Sequence, residues 1–193
     1  MIWDGAFAAE VLPLLLRATV VTVEATLLGT ALAMVLGLIL AVLGRSQSVI
    51  IRGVVRSLVE FIRSTPLLVQ LFFVWALAPA WVPLLAIGVF VLGVHYATYT
   101  AEVYRAGIDG VPKGQWEAAT ALNLPMGRTW RAVILPQAIR RVIPALGNYL
   151  VSMFKETPLL LAIGVLELVG QARSLGAATF RYVEPITLAG LIF

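Results

Sequence analysis

From Leu12 to Leu43 the only charged residues are Arg17 and Glu24, and Ala25–Leu43 carries none. About 20 helical residues, each rising 1.5 Å, cross the hydrocarbon of a bilayer, so this pattern predicts a first span over roughly 14–43. Within it, residues 13–24 are either an added amphipathic turn or the outer part of a long tilted helix. Met1–Glu10 ahead of it reads as a short polar lead. Gly44–Arg56 then brings Arg45, Arg52 and Arg56 without an acid. A second span is predicted over about 57–78 despite Glu60 and Arg63 near its start. The charge-free turn Ala78–Pro83 follows, with Trp81 at the depth where interfacial rings sit. Third and fourth spans are predicted over 84–104 and 143–164, the fourth interrupted by Pro158. Glu167–Glu184 is a polar connection carrying a short helix. Pro185–Phe193 is apolar yet covers under half a bilayer, so a fifth span is expected to be incomplete here. The native product is expected to continue through about 15 or more apolar residues and to end with basic ones.

The longest polar interruption is 105–141, centred on Val111–Pro136. Pro112 suits a first helical turn, where its missing N–H has no intrahelical partner anyway. The pattern predicts a helix over Lys113–Leu122 that stops at Asn123-Leu124-Pro125, since Asn follows Gly in preference for the left-handed position after a helix. Pro125 begins a second short helix, Met126–Leu135, expected to close at Pro136. Two short helices with a fixed elbow outside the bilayer are the expectation.

Composition agrees with the spans. Of 193 residues, 61% are hydrophobic and 12% charged, against about 25% charged in a typical soluble domain. Mean hydropathy is +0.97. The chain is therefore expected to be an all-α integral membrane protein. The net charge of +4 has meaning by position and is not a nucleic-acid signal. Arg45, Arg52, Arg56, Arg63, Arg105, Lys113, Arg128, Arg131, Arg140 and Arg141 fall on one side of this topology. Only Arg17, Arg173 and Arg181 fall on the other. The positive-inside rule puts the first set in the cytoplasm and the N-terminus outside. Acidic Asp4 and Glu10 take the place of the basic region that a cleaved signal peptide needs. Cysteine is absent, so disulfides and thiolate metal sites are excluded. With one histidine and no clustered carboxylates, a metal centre has no ligand set. A phosphate-binding glycine loop with Lys-Ser/Thr is missing as well.

The polar loop carries a specific likeness. Glu117-Ala118-Ala119, the break at Asn123 and Ile134-Leu135-Pro136 resemble the EAA signature of permease subunits of type I ABC importers. The flanks EFIRSTPLLVQLFF (60–73), YTAEVYRAGI (99–108) and LGNYLVSMFKETPLL (146–160) are similar to polar amino acid permeases. The opening MIWDGAFAAEVLP resembles permeases of ectoine and hydroxyectoine uptake. One departure is Asn123, where the family usually has Gly; Asn reaches the same backbone conformation.

The resemblance implies a type I ABC permease fold of about five spans in the plasma (inner) membrane, with a cytoplasmic loop that docks into an ATPase cleft. It assigns that coupling to Lys113, Gly114, Trp116, Glu117, Ala118, Ala119, Asn123 and Pro136. Trp116 is expected to supply buried area to the ATPase, the alanines close approach, and Glu117 a charge pair. The implied partners are an ATPase subunit dimer, a second permease copy or paralogue, an extracytoplasmic substrate-binding protein and membrane lipid. The implied cargo is a polar amino acid or an amino-acid-like compatible solute such as ectoine. No cofactor is expected on this chain; ATP and Mg would bind the partner ATPase. An ion-coupled secondary transporter or channel subunit is the alternative, though it needs no EAA loop and often shows internal repeats.

Charges inside spans are costly and mark cavities or partners. His95, Tyr99 and Glu102 share a face at i, i+4, i+7, and Asn148, Ser152 and Glu156 recur every four residues. Lys155 points about 100° from Glu156 on a helix of 3.6 residues per turn. Pro158 removes a backbone bond and strains the carbonyl of Phe154. A polar path for a zwitterion is expected at Tyr99, Lys155, Glu156 and Thr157, with mutual satisfaction between packed helices as the other outcome. Glu102 is expected to pair with Arg105 at i, i+3. Ser64-Thr65-Pro66 with Gln70 resembles the family's Gly-Thr-Pro-Leu-Leu-Val-Gln segment, and Thr65 and Gln70 either line the same path or form a Pro kink. Glycines 29, 37, 88 and 93 are expected at close helix contacts.

Overall fold

The computed structural model describes residues 3–193, so Met1 and Ile2 of the polar lead lie outside the described residues. The helices in chain order are α1 (Gly5–Leu43), α2 (Val49–Ser64), α3 (Leu67–Leu77), α4 (Leu84–Asp109), α5 (Lys113–Ala121) and α6 (Met126–Arg128). A π-helical stretch, Thr129–Ile134, runs into α7 (Leu135–Glu156). A 3-10 stretch, Thr157–Ile163, follows, then α8 (Leu168–Thr179) and α9 (Val183–Ile192). By length and composition α1 and α4 can each cross a membrane, and counting two bent helix pairs as broken spans brings the total to four.

Three boundaries differ from the sequence expectation. Helix α1 begins at Gly5, so 13–24 is part of one continuous 39-residue helix, not an added turn, and most of the polar lead is helical. Asp4 starts it: its carboxylate accepts the N–H groups of Ala6 (2.9 Å) and Phe7 (3.2 Å), which otherwise have no intrahelical partner. Second, 57–78 is not one helix but the end of α2 and the whole of α3. Pro66 has no N–H and disfavours helical geometry at Thr65. Third, Pro136 does not close a helix. The wider π turn just before it makes room for a ring that would collide with the carbonyl four residues back, and the helix continues as α7.

Close contacts divide the chain into two units. One holds Met1–Thr30, Thr65–Leu92 and Ser152–Phe193; the other holds Ala31–Ser64 and Gly93–Val151.

In the first unit, Val11, Leu15, Leu168, Ala172 and Ala189 form the core. Gly164, at φ +90°, ends the 3-10 stretch in a left-handed conformation open to glycine at no steric cost. The fully buried Glu167 then caps α8 by accepting from Val169 N (3.0 Å) and Gly170 N (2.6 Å). The Thr22 hydroxyl accepts Leu168 N–H at 3.0 Å, so the buried start of α8 has no stranded donors here. An added methyl at Gly88 would sit 2.6 Å from Leu160, the close approach expected of that glycine. Beside the start of α1, Arg181 donates to Asp4 (3.1 Å) and Glu184 (3.0 Å) and stacks over Phe7 at 4.3 Å.

In the second unit, Gly93 meets Leu32 in the same way as Gly88 meets Leu160, and Gly37 lies against Thr100. The Thr100 hydroxyl donates to Ala33 O at 2.8 Å, a polar link between buried apolar helix faces. Arg45 pairs with Asp109 at 2.6 Å. On its part of α1, large residues such as Val35, Leu38, Ile39 and Val42 are exposed in an uncharged stretch, as a lipid-facing helix requires.

The Asp4 cluster predicts an acid-sensitive start of α1. The N–H groups of Phe7 and then Arg181 hold the Asp4 carboxyl below its ordinary value of 3.8. A depressed folded pKa means a contribution that is present above the unfolded value and disappears as pH falls through the folded one. Thermal unfolding in detergent should therefore show a stability loss below about pH 4 in the wild type. Asp4→Ala should unfold at a lower temperature near neutral pH and lose less on acidification. An unchanged acid slope in that variant would refute the assignment.

Candidate functional site

The polar loop begins where α4 ends. Val111, Ile134 and Ala138 are buried together, with Ile108, Trp116, Trp130 and Val133 packed around them. Trp116 and Trp130 meet edge to face at 5.4 Å. Trp116 thus faces its own chain, against the expectation that it offers its surface to a partner. Its position three residues from the buried Ala119 puts it on the inward side of α5. The outward side carries Lys113, Gly114, Glu117 and Ala118, all exposed. Leu122 (72% exposed) and Met126 (69%) supply the apolar surface instead.

The elbow has the expected geometry. Asn123 takes φ +50°, in the left-handed region. Asn123 N donates to Thr120 O (2.9 Å) and Leu124 N to Ala119 O (3.0 Å), the paired bonds of a Schellman motif. Two further bonds fix the loop at its base: Gln137 donates to Gln115 (3.1 Å), and Arg141 to the carbonyl of Gly110. Both were missed in the sequence because no local spacing links residues so far apart.

Among the residues expected along a path, those of the first unit lie around two helix breaks. The Gln70 amide donates to Thr65 O (3.0 Å) and Thr65 Oγ1 (2.7 Å), bracing the Pro66 break. Helix α3 packs against the Thr157–Ile163 stretch. There the fully buried Thr157 donates from its hydroxyl to Phe154 O at 2.8 Å, satisfying the carbonyl that Pro158 deprives of its N–H. Lys155 is exposed. Glu156 is half-buried, and its Oε2 is buried with no hydrogen-bond partner, alone in this among the side-chain oxygens and nitrogens of the described residues. An unsatisfied buried carboxylate oxygen is costly, and such groups cluster where a protein has a use for them.

Tyr99 belongs to the second unit. Its ring lies 5.4 Å from His95, 6.0 Å from Tyr96 and 5.6 Å from Tyr149, with the Arg63 guanidinium 4.8 Å above it. The Arg63 contact was not foreseen, because the two residues lie in different predicted spans, thirty-six positions apart. Glu102 pairs with Arg105 at 3.2 Å, as expected of an i, i+3 pair.

A helical membrane chain with an exposed Glu-Ala-Ala helix and a left-handed elbow matches known proteins along almost its whole length. Residues 33–193 match the family of binding-protein-dependent transport system inner membrane components, and the chain belongs to it. It is the translocation subunit of an ABC importer, a permease and not an enzyme. It is 44% identical to the probable amino-acid ABC transporter permease protein y4tG of Sinorhizobium fredii, over 99% of this chain and 86% of that protein. It is 31% identical to the arginine transport system permease protein ArtQ of Bacillus subtilis, over 94% and 85% of the two chains. The crystal structure of an amino acid ABC transporter with histidines superposes with a TM-score of 0.91 at 35% identity, covering 100% of this chain and 91% of that one. Importers of this class work with an ATPase and a substrate-binding protein.

The elbow makes a direct prediction. A left-handed conformation costs a residue with a Cβ roughly 1–2 kcal/mol, and Asn offsets part of that locally. Asn123→Ala should lower loop stability by about 1 kcal/mol, whereas Asn123→Gly should leave it unchanged or slightly raised. Protease cleavage between α5 and α6 reports both; equal cleavage in the two variants would show that the elbow does not hold the loop.

Proposed function

We propose that this permease carries polar amino acids or an amino-acid-like compatible solute such as ectoine, past Glu156, in a complex with an ATPase dimer and a second permease copy or paralogue. The observation that carries the reading is the unpartnered Glu156 oxygen beside an exposed lysine at the end of α7. A carboxylate there suits the ammonium or amidinium group of a zwitterion, and Lys155 or nearby backbone N–H groups suit its carboxylate. Helix breaks with freed backbone groups are a common device for substrate sites in transporters, and both 64–66 and 156–158 are such breaks. The relatives named for amino-acid transport support the substrate class.

The loop 105–141 is the element we assign to ATPase coupling, on the cytoplasmic side with the N-terminus outside. Glu117 and Lys113 present charge on the exposed face of α5, Gly114, Ala118 and Ala119 keep it slim, and Leu122 and Met126 give it apolar area. ATP and Mg act in the partner, whose closure pulls on α5. Asn123 and Pro136 set the angle and continuity through which that pull reaches α7.

Two substitutions test these assignments separately. Glu156→Gln should leave the complex assembled while transport in reconstituted vesicles falls; transport at the wild-type rate and half-saturation would remove Glu156 from the path. Glu117→Lys should release or uncouple the ATPase, since truncating one member of a buried interfacial charge pair typically costs about 2–5 kcal/mol. Co-purification distinguishes docking, where the ATPase is lost, from coupling, where it stays without substrate-stimulated hydrolysis. Full transport with the ATPase retained would overturn the role of the loop.

A further inference from the structure

Helix α1 carries two seven-residue repeats on different faces. Ala8, Val11, Leu15, Ala18, Thr22 and Ala25, spaced three and four apart, are all buried in the first unit. Glu10, Pro13, Arg17, Val20, Glu24 and Leu27 follow the same spacing and are all exposed. That alternation is the seam along which two helices supercoil about one another. On the exposed seam every seventh residue is charged, acidic then basic then acidic, with an apolar residue between them. Successive charges stand about 10 Å apart along the axis, too far to pair with one another. The neighbours three and four positions from Arg17 and Glu24 are Pro13, Leu14, Val20, Val21, Leu27 and Leu28, none of them polar. Among the described residues no ion pair includes Glu10, Arg17 or Glu24.

Helix α1 has 39 residues and a length of about 58 Å, whereas the hydrocarbon of a bilayer is about 30 Å thick. Glu24 directly precedes the uncharged run 25–43 and stands among exposed Val20, Val23, Leu27 and Leu28. Unpaired charge on such a face is costly against lipid and marks a partner. The partner's chemistry follows from the order of the signs: its helix offers basic, acidic and basic residues at the same spacing. An identical copy in the same membrane runs in the same direction. Two-fold pairing of α1 on α1 would set Glu10 on Glu10, Arg17 on Arg17 and Glu24 on Glu24, and like charges so opposed repel. No stretch of the 193 residues carries basic, acidic and basic residues seven apart, so no other helix of a second copy fits the seam. We infer that the exposed seam of α1 seats a membrane helix of a different polypeptide, a paralogous permease with the reversed charge order. This rests on the reading that a second permease chain completes the complex, and it selects the paralogue over the copy.

The chain has no cysteine, so Val20→Cys places a single thiol in the middle of the seam. The intact transporter, purified from its own cells by a tag on this chain, is labelled there with benzophenone maleimide and illuminated in lipid nanodiscs. Mass spectrometry then identifies each adduct. The expected adduct is with a paralogous permease, at a helix carrying basic, acidic and basic residues seven apart. Val35→Cys, on the exposed uncharged stretch of the same helix, should capture lipid and not that helix. Arg17→Glu puts three acids on the seam and should cut the protein adduct about tenfold or more. Replacing the partner's facing acid by arginine should restore it, a rescue that a folding defect cannot imitate. Should Arg17→Glu fail to purify, the identity of the Val20→Cys adduct decides alone. Adducts with lipid only, with a second copy of this chain, or with a helix lacking the reversed charges overturn the inference. Native mass spectrometry of the same complex separates the two levels of failure. A second permease chain that is present but never captured refutes the seam alone, whereas a lone permease chain refutes the underlying reading as well.

Discussion

Hydrocarbon offers a freed backbone group no water, so each interruption of a membrane helix must be repaired by the chain itself. This chain interrupts its helices repeatedly, and specific side chains make the repairs. Gln70 braces the Pro66 break by bonding Thr65. Thr157 gives Phe154 O the donor that Pro158 cannot. Glu167 and Thr22 supply acceptors at the start of α8. The expense of an orphaned polar group is what makes these residues structural. It also sets apart Glu156 Oε2, the one buried side-chain oxygen or nitrogen without a partner among the described residues. A fold that satisfies Phe154 O two residues earlier leaves this carboxylate oxygen without a partner.

The same constraint separates the two faces of the permease's work. In the first unit, helix ends are held by short-range bonds from buried Thr and Glu side chains, so the strained segment around 156–158 is stiff. In the second, the polar loop is held mainly by packing: the Trp116–Trp130 contact, the Val111–Ile134–Ala138 core, and the long bonds from Gln137 and Arg141. The loop's two tryptophans are spent on anchoring α5 to α4 and α7, while Leu122 and Met126 stay exposed.

What the sequence made legible follows from the range of the forces involved. The elbow at Asn123 was readable because helix termination is decided by a few adjacent residues, and it appears with φ +50° and both Schellman bonds. The Glu102–Arg105 pair and the close contacts at Gly88 and Gly93 were readable for the same reason: helical spacing and the lack of a Cβ are local facts. The orientation of Trp116 was not, since it depends on Trp130 fourteen positions away and on the π turn that carries Trp130. Pro136 misled because a proline usually ends a helix unless the preceding turn widens, and nothing in the residue types around it announces that widening. Arg181 reaching Asp4 was invisible too, since it joins residues near the two ends of the chain.

Anchoring Trp116 inward strengthens, and does not weaken, the assignment of α5 as the moving contact. A helix that gave its tryptophan to the ATPase would be held by its partner and loosely by its own chain, and a pull on it would be absorbed by bending at the loop. With Trp116 locked on Trp130 and the C-terminus of α5 locked by the Asn123 elbow, force applied at Glu117 has no soft joint before α7. The π turn at 129–134 belongs to that path: it keeps the helix continuous through Pro136 where a break would decouple α7 from the loop. Through Asn123, Trp130 and Pro136 the chain from α5 to the start of α7 is held by short-range contacts along its whole length.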